Sequence, residues 1–136
     1  MSNERLRIEE ICSKASSNLA QKQLGENRGT YPVFGASGFI QNIDSFHQEH
    51  PYIGIVKDGS GVGRVNIYPA KSSLLGTMQY IIPKPHCDLV FLAYALKSLD
   101  LSSFANGAAI PHIYFKDYGK CVIPVPPLSE QKRIVE

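Results

Sequence analysis

Cysteine is scarce and scattered in this sequence: Cys12, Cys87 and Cys121 are odd in number, widely spaced and contain no CxxC pair. That excludes a disulfide framework and the paired ligands of a zinc ribbon, and it fits reduced thiols in a cytoplasmic protein. Long apolar runs are missing as well. Proline or charge interrupts every apolar stretch short of the ~20 residues that a membrane span needs, and the N-terminal Met-Ser-Asn-Glu-Arg-Leu-Arg has no apolar region behind its charges. The expectation is a soluble intracellular chain that engages no membrane. Charge of one sign is also in short supply. Fourteen Lys and Arg against 12 Asp and Glu leave a net charge of +2, weaker than the basic excess of many nucleic-acid binders but compatible with a local basic patch.

What remains is ordinary globular material: 136 residues, 43% hydrophobic and 19% charged. This is enough chain for one domain with a buried core, too little for two, and too apolar for disorder of the whole. The centre of the chain is Tyr52-Ile-Gly-Ile-Val-Lys-Asp-Gly-Ser-Gly-Val-Gly-Arg-Val-Asn-Ile-Tyr68. It reads as two strands, Tyr52 to Val56 and Val65 to Tyr68, joined by a loop with glycine at alternate positions 59, 61 and 63. Lys57, Asp58 and Arg64 stand at the shoulders of that loop. Such glycines permit positive φ or close approach of the backbone to a ligand, and the flanking cations suit an anion such as DNA phosphate. A tight hairpin whose glycines serve only its own twist is the plainer alternative.

Elsewhere, Arg5 to Lys14 reads as a short strand leading into one helical turn, and Ser13 to Thr30 as a polar surface segment with a turn around Leu19 to Leu24. Tyr31 to Asp44 is a hairpin with small residues at its Gly35-Ala-Ser-Gly38 tip. Met78 to Ile82 is a strand closed by Pro83 and Pro85. Asp88 caps the clearest helix, Leu89 to Leu99. Lys120 to Val125 is a further strand, and Ser129 is positioned to cap a last helix whose first turn Glu130 and Gln131 favour. That helix is too short to stand alone, so it either packs on the domain or begins something longer.

Several chemistries are excluded by their missing parts. A dinucleotide fingerprint needs glycine where Arg64 stands and a helix where Val65 starts a strand, and a P-loop needs Lys followed by Ser or Thr after its last glycine. His86, Cys87 and Asp88 are neighbours in sequence and therefore point apart, unlike a working Cys-His pair. His47 and His50 lack further ligands nearby, so no metal is expected. No nuclease carboxylate cluster, methyltransferase Asn-Pro-Pro-aromatic motif or helicase motif is visible. The remaining polar turns, Gly35 to Gly38, Lys57 to Arg64, Lys71 to Ser73 and Asn106 to His112, could together present Lys, Arg, Ser, Asn and His donors to a duplex.

Four blocks, Tyr31-Pro-Val-Phe-Gly-Ala-Ser-Gly, Lys57-Asp-Gly-Ser-Gly-Val-Gly-Arg-Val, Asn106-Gly-Ala-Ala-Ile-Pro-His-Ile and Ile123-Pro-Val-Pro-Pro-Leu-Ser-Glu-Gln-Lys-Arg-Ile-Val, span nearly the whole chain. In this order they resemble the target recognition domain of type I restriction-modification specificity subunits, and the closing block is the most specific. The resemblance implies a non-catalytic α+β domain with a twisted mixed β-sheet and flanking helices over residues 1–125, with the start of a spacer helix at 126–136. It implies sequence-specific recognition of one half of a bipartite DNA site on behalf of partner methyltransferase and restriction subunits. S-adenosylmethionine, ATP and magnesium would be bound elsewhere in the complex, so this chain needs no cofactor. A second recognition domain, or self-association through the spacer helix, would complete the site. A truncated chain, a half-subunit and a remnant all fit the single domain.

On this reading Lys57, Ser60, Arg64 and Lys71 contact DNA, joined by Ser37, Asn106 and His112. Gly35, Gly38, Gly59, Gly61, Gly63 and Gly107 shape the backbone. Gln131, Lys132 and Arg133 face a partner subunit or helix. The alternative is a remnant or assembly domain that binds partner subunits through its C-terminal helix without specific DNA binding.

Overall fold

Every residue of the run Tyr52–Val56 is buried, which a strand achieves when protein covers both of its faces. A computed structural model, describing residues 4–106 and 109–134, shows what covers it. In chain order the elements are β1 (Glu4–Arg7), α1 (Ile8–Ile11), β2 (Cys12–Ser16), a 3-10 turn (Gln21–Gln23), β3 (Tyr31–Gly35), β4 (Gly38–Ile43), β5 (Tyr52–Val56), β6 (Val65–Tyr68), β7 (Ser73–Leu74), β8 (Met78–Pro83), α2 (Leu89–Ser98), a 3-10 turn (Leu101–Phe104), α3 (Phe115–Tyr118), β9 (Val122–Val125) and α4 (Leu128–Ile134).

The strands form an antiparallel sheet ordered β2-β8-β5-β6, a mixed sheet ordered β4-β3-β7 and a β1-β9 pair. Strand alternation then divides the core in two. Ile53, Ile55, Val65 and Ile81 share one buried cluster with Leu92 and Leu96 of α2. Tyr52, Val56, Met78 and Tyr80 share another with Leu74 of β7, and Phe34 of β3 packs against it. Gly54 allows this closeness, since a Cβ there would stand 2.6 Å from the Tyr68 ring. The α+β expectation holds, with the strands distributed over three sheets.

The expected helix at Leu89 is present, and the Asp88 carboxylate accepts the Phe91 N–H at 3.0 Å. Two local expectations fail. Residues 12–16 form an edge strand paired with β8 from Cys12↔Pro83 to Ser16↔Gln79, where the end of a helical turn reaching Lys14 and a polar surface segment from Ser13 were expected. Their sequence, Cys-Ser-Lys-Ala-Ser, has little strand propensity, and pairing overrides it. Ser129 does not cap the last helix: α4 starts at Leu128, so Ser129 lies within its first turn, and the Pro127 carbonyl accepts the Glu130 and Gln131 N–H groups at 2.9 and 3.0 Å.

Gly107, expected to shape the Asn106–Ala109 turn, lies outside the described residues, as does Val135 of the closing block. Among the described residues no helix is long and apolar enough to cross a membrane, and no three His, Cys, Asp or Glu side chains are grouped to hold a metal. The His47 ring bonds through Nδ1 to the Tyr80 hydroxyl at 2.7 Å. All three cysteines are free thiols.

Candidate nucleic-acid interface

The loop from Lys57 to Arg64 is held by its backbone. Gly59, Gly61 and Gly63 all take positive φ, between 83° and 94°, conformations that other residues adopt only with strain. The turn closes on itself through Gly63 N–H to Val56 O at 2.7 Å and Arg64 N–H to Gly61 O at 3.0 Å. It is also tied to two distant segments. Thr77 O accepts the N–H groups of Lys57 and Asp58, Pro111 O accepts that of Gly59, and Lys57 O accepts that of Ile113. Gly63 lies so close to the Leu101–Ser102 backbone that a Cβ on it would stand 2.5 Å from Ser102 N. The glycines therefore serve both the hairpin's own path and its close packing on the 3-10 turn.

These ties assemble a cluster of side chains. The Asp58 carboxylate accepts Lys57 Nζ at 2.7 Å through one oxygen and faces His112 Nδ1 at 2.9 Å through the other. His112 Nε2 in turn meets the Tyr114 hydroxyl. A carboxylate only accepts, so Nδ1 carries the proton in the neutral ring and Nε2 accepts from Tyr114. Lys57, Asp58 and His112 are each about a quarter to a third exposed. Lys116 Nζ lies 5.2 Å from the Tyr114 ring centroid, within cation–π range. A pocket of about 260 Å³ opens among Lys57, Asp58, His112, Tyr114 and Lys116 and is completed by Lys14 and Ser16 on β2.

Other residues expected at the interface lie around the same end of the sheet. Ser60 and Arg64 are exposed, and the Arg64 guanidinium folds back over Gly61, 3.2 Å from where a Cβ there would stand. Ser37 is exposed at the β3–β4 tip, in a groove shared with Thr77, the residue whose carbonyl binds Lys57. Asn106 is exposed on the connection from Leu101–Phe104 to His112. Lys71 stands apart. The antiparallel register Tyr52↔Tyr68 to Ile55↔Val65 puts Lys57 and Arg64 at one end of the β5–β6 pair and Lys71 beyond the other, about 14 Å away along the strand by the usual rise per residue. Lys71 also takes φ +56° beside the buried Ser72, whose hydroxyl lies 2.7 Å from both the Tyr52 hydroxyl and Pro69 O.

Gln131 corrects its expected role. It is fully buried, its Oε1 accepts the Asp88 N–H at 2.8 Å, and its Nε2 donates to His86 O at 3.0 Å and Pro126 O at 2.9 Å. Its amide clasps α4 to the start of α2 and has nothing left to offer a partner, whereas Lys132 and Arg133 are exposed. Sequence reasoning missed Lys14, Tyr114 and Lys116. Nothing local marks them, because the pocket joins β2 to a segment about a hundred residues away. Asp58 was visible beside Lys57, but its pairing with a histidine 54 residues on was not.

A family model described as the type I restriction modification DNA specificity domain matches residues 2–136. The type I restriction enzyme MjaVIII specificity subunit of Methanocaldococcus jannaschii is 34% identical over 83 residues, covering 58% of this chain and 19% of that protein. The type I restriction-modification system S subunit from M. genitalium has a TM-score of 0.79 at 23% identity, covering 97% of this chain and 37% of that one. The HsdS subunit from Thermoanaerobacter tengcongensis has a TM-score of 0.73 at 20% identity, covering 97% and 35%. At such identities the two structures speak for the fold. The chain spans about a fifth of the curated relative and over a third of each solved chain.

Proposed function

Because this chain belongs to the type I restriction modification DNA specificity domain family, we propose that it is the sequence-specific DNA-recognition module of a type I restriction-modification complex. It reads one half of a bipartite site and directs partner methyltransferase and restriction subunits, which carry methylation and cleavage. The observation that carries this reading is the family match over residues 2–136. The rigid loop supports it by bringing Lys57, Ser60, Arg64 and His112 to one end of the sheet, with Ser37 and Asn106 beside them. Lys57 and Arg64 position the phosphate backbone, while specificity comes from base edges and DNA shape. Lys71 is an outlying contact that a duplex reaches only by extending past the far end of β5–β6.

Residues 1–125 form the recognition domain, and 126–136 begin a spacer helix whose exposed Lys132 and Arg133 meet a partner. The complex works in the cytoplasm. The assembly-only alternative lacks comparable support, since the family is one of DNA specificity domains.

The test is made in the assembled complex. Lys57→Ala with Arg64→Ala weakens binding to the cognate duplex and lowers the slope of log affinity against log salt by about 2, since each phosphate contact contributes ~0.9. Unchanged affinity and slope refute the placement of these residues. Exchanging the domain and sequencing the methylome gives the role itself: one half of the methylated motif changes. A motif unchanged by the exchange favours the assembly-only domain.

A further inference from the structure

The pocket beside the glycine loop contains an arrangement that recognition of base sequence does not by itself explain. We propose that it takes a single phosphodiester anion, and that Asp58 is the carboxylate this anion displaces from Lys57. The proposal rests on the DNA-recognition reading above and deepens it: Asp58 becomes a specificity-determining residue.

Among the described residues, three lysines, Lys14, Lys57 and Lys116, line a volume of about 260 Å³ against a single carboxylate, Asp58. The walls are rigid. β2 is paired to β8 along its length, the loop is fixed through Thr77 and Pro111, and the His112–Tyr114 pair is held edge to face with centroids 4.4 Å apart. A cationic pocket with hydrogen-bonded walls suits a compact anion, because its backbone is already in place and only the Asp58 carboxylate has to leave Lys57.

In the free protein Asp58 already occupies one side of this pocket, at 2.7 Å from Lys57 Nζ, so an incoming phosphate meets a lysine whose charge is already paired. His112 reinforces the arrangement. By donating Nδ1–H to the second Asp58 oxygen it holds the carboxylate in place, and by accepting the Tyr114 hydroxyl it occupies that donor. A duplex held only by general electrostatics gains little from exchanging one anion for another. A duplex fixed in register by its other contacts presses a phosphate into the pocket and completes the exchange. The carboxylate thus suppresses non-specific binding, in the way that a repulsive element sets specificity as a difference of affinities.

The experiment compares wild-type complex with Asp58→Asn on cognate and non-cognate duplexes across a salt series. Asp58→Asn binds non-cognate DNA roughly threefold tighter, the order of a released, partly exposed ion pair, and its salt slope steepens by about one phosphate contact, ~0.9. Cognate affinity changes less, so the ratio between the two falls. Lys14→Met with Lys116→Met in the Asp58→Asn background abolishes the gain, and Lys57→Met with Asp58 intact lowers the salt slope without relaxing discrimination. Melting temperatures of each complex separate these effects from misfolding. Equal weakening on both duplexes, no change on either, or a gain that survives loss of Lys14 and Lys116 overturns the proposal. Inorganic phosphate at millimolar concentration is the second arm. If it protects Lys14, Lys57 and Lys116 from reductive methylation while Asp58→Asn leaves DNA binding unaltered, the pocket serves free phosphate and the proposal fails. Wild-type complex that binds no duplex defeats the underlying recognition reading instead.

Discussion

Replacing Gln131 by leucine keeps the volume of a side chain that is fully buried and deletes its three hydrogen bonds. The Pro126 carbonyl loses a buried partner, while the Asp88 N–H and the His86 carbonyl are part-buried and regain some water. A buried group left unpaired costs about 1–3 kcal/mol, and each of the two part-buried bonds contributes about 0.5–1.5 kcal/mol, so the expected loss is about 4 kcal/mol. An unfolding entropy of ~2.1 cal/mol/K per residue amounts to ~0.3 kcal/mol/K over 136 residues, so the loss lowers Tm by about 14 °C. Calorimetry measures it, and hydrogen exchange of the α4 amides shows where it acts. Gln131→Glu is at least as damaging, since a carboxylate can serve the Asp88 N–H but faces two carbonyl oxygens with no proton to donate. Lys132→Ala and Arg133→Ala, both exposed, stay within about 0.5 kcal/mol of wild type. A Gln131→Leu protein melting within about 2 °C of wild type refutes the clasp.

Two further substitutions separate strain from collision in the glycine loop. Gly59→Ala meets no atom within 4 Å and suffers only from φ +83°, for about 1 kcal/mol, whereas Gly63→Ala adds a Cβ 2.5 Å from Ser102 N to φ +94° and loses about 2–4 kcal/mol. Urea denaturation that finds the two equal shows that the loop does not need its contact with the 3-10 turn. Alkaline pH destabilises the fold. Burial holds the Cys12 thiol up at about 12 and the Cys87 thiol up at about 11, above their ordinary 9.0, and also raises Tyr52 and Tyr118. The folded state therefore keeps protons that the unfolded state releases. Stability is full below about pH 9 and falls as pH climbs through 11 and 12, by at most ~1.4 kcal/mol per pH unit per thiol. Urea midpoints at pH 8, 9 and 10.5 measure this, and a constant midpoint contradicts the burial of the thiols.

The central hairpin and the capped helix were legible because their signals are local. Tyr52–Val56 and Val65–Tyr68 are apolar segments bounded by turn residues, and Asp88 precedes a ten-residue helix whose first turn it caps. The same locality explains why the interface was only partly legible. Lys57 and Arg64 flank one loop and remain together, but Lys71, seven residues after Arg64, is carried to the far end of the strand pair by antiparallel register.

Local sequence was enough for strands β3 to β6, β8 and β9, the main helix, the positive-φ turn and, through the four blocks, the family. Those features depend on residues within a few positions of one another. Tertiary structure alone decided that Cys12–Ser16 would be a strand, that Gln131 would be a buried clasp and that Asp58 would lie between Lys57 and His112. Each depends on a partner tens of residues away, β8 for the strand, His86 and Asp88 for the clasp and His112 for the carboxylate. Hydrogen bonding and burial against such distant partners leave no periodicity in the sequence to read.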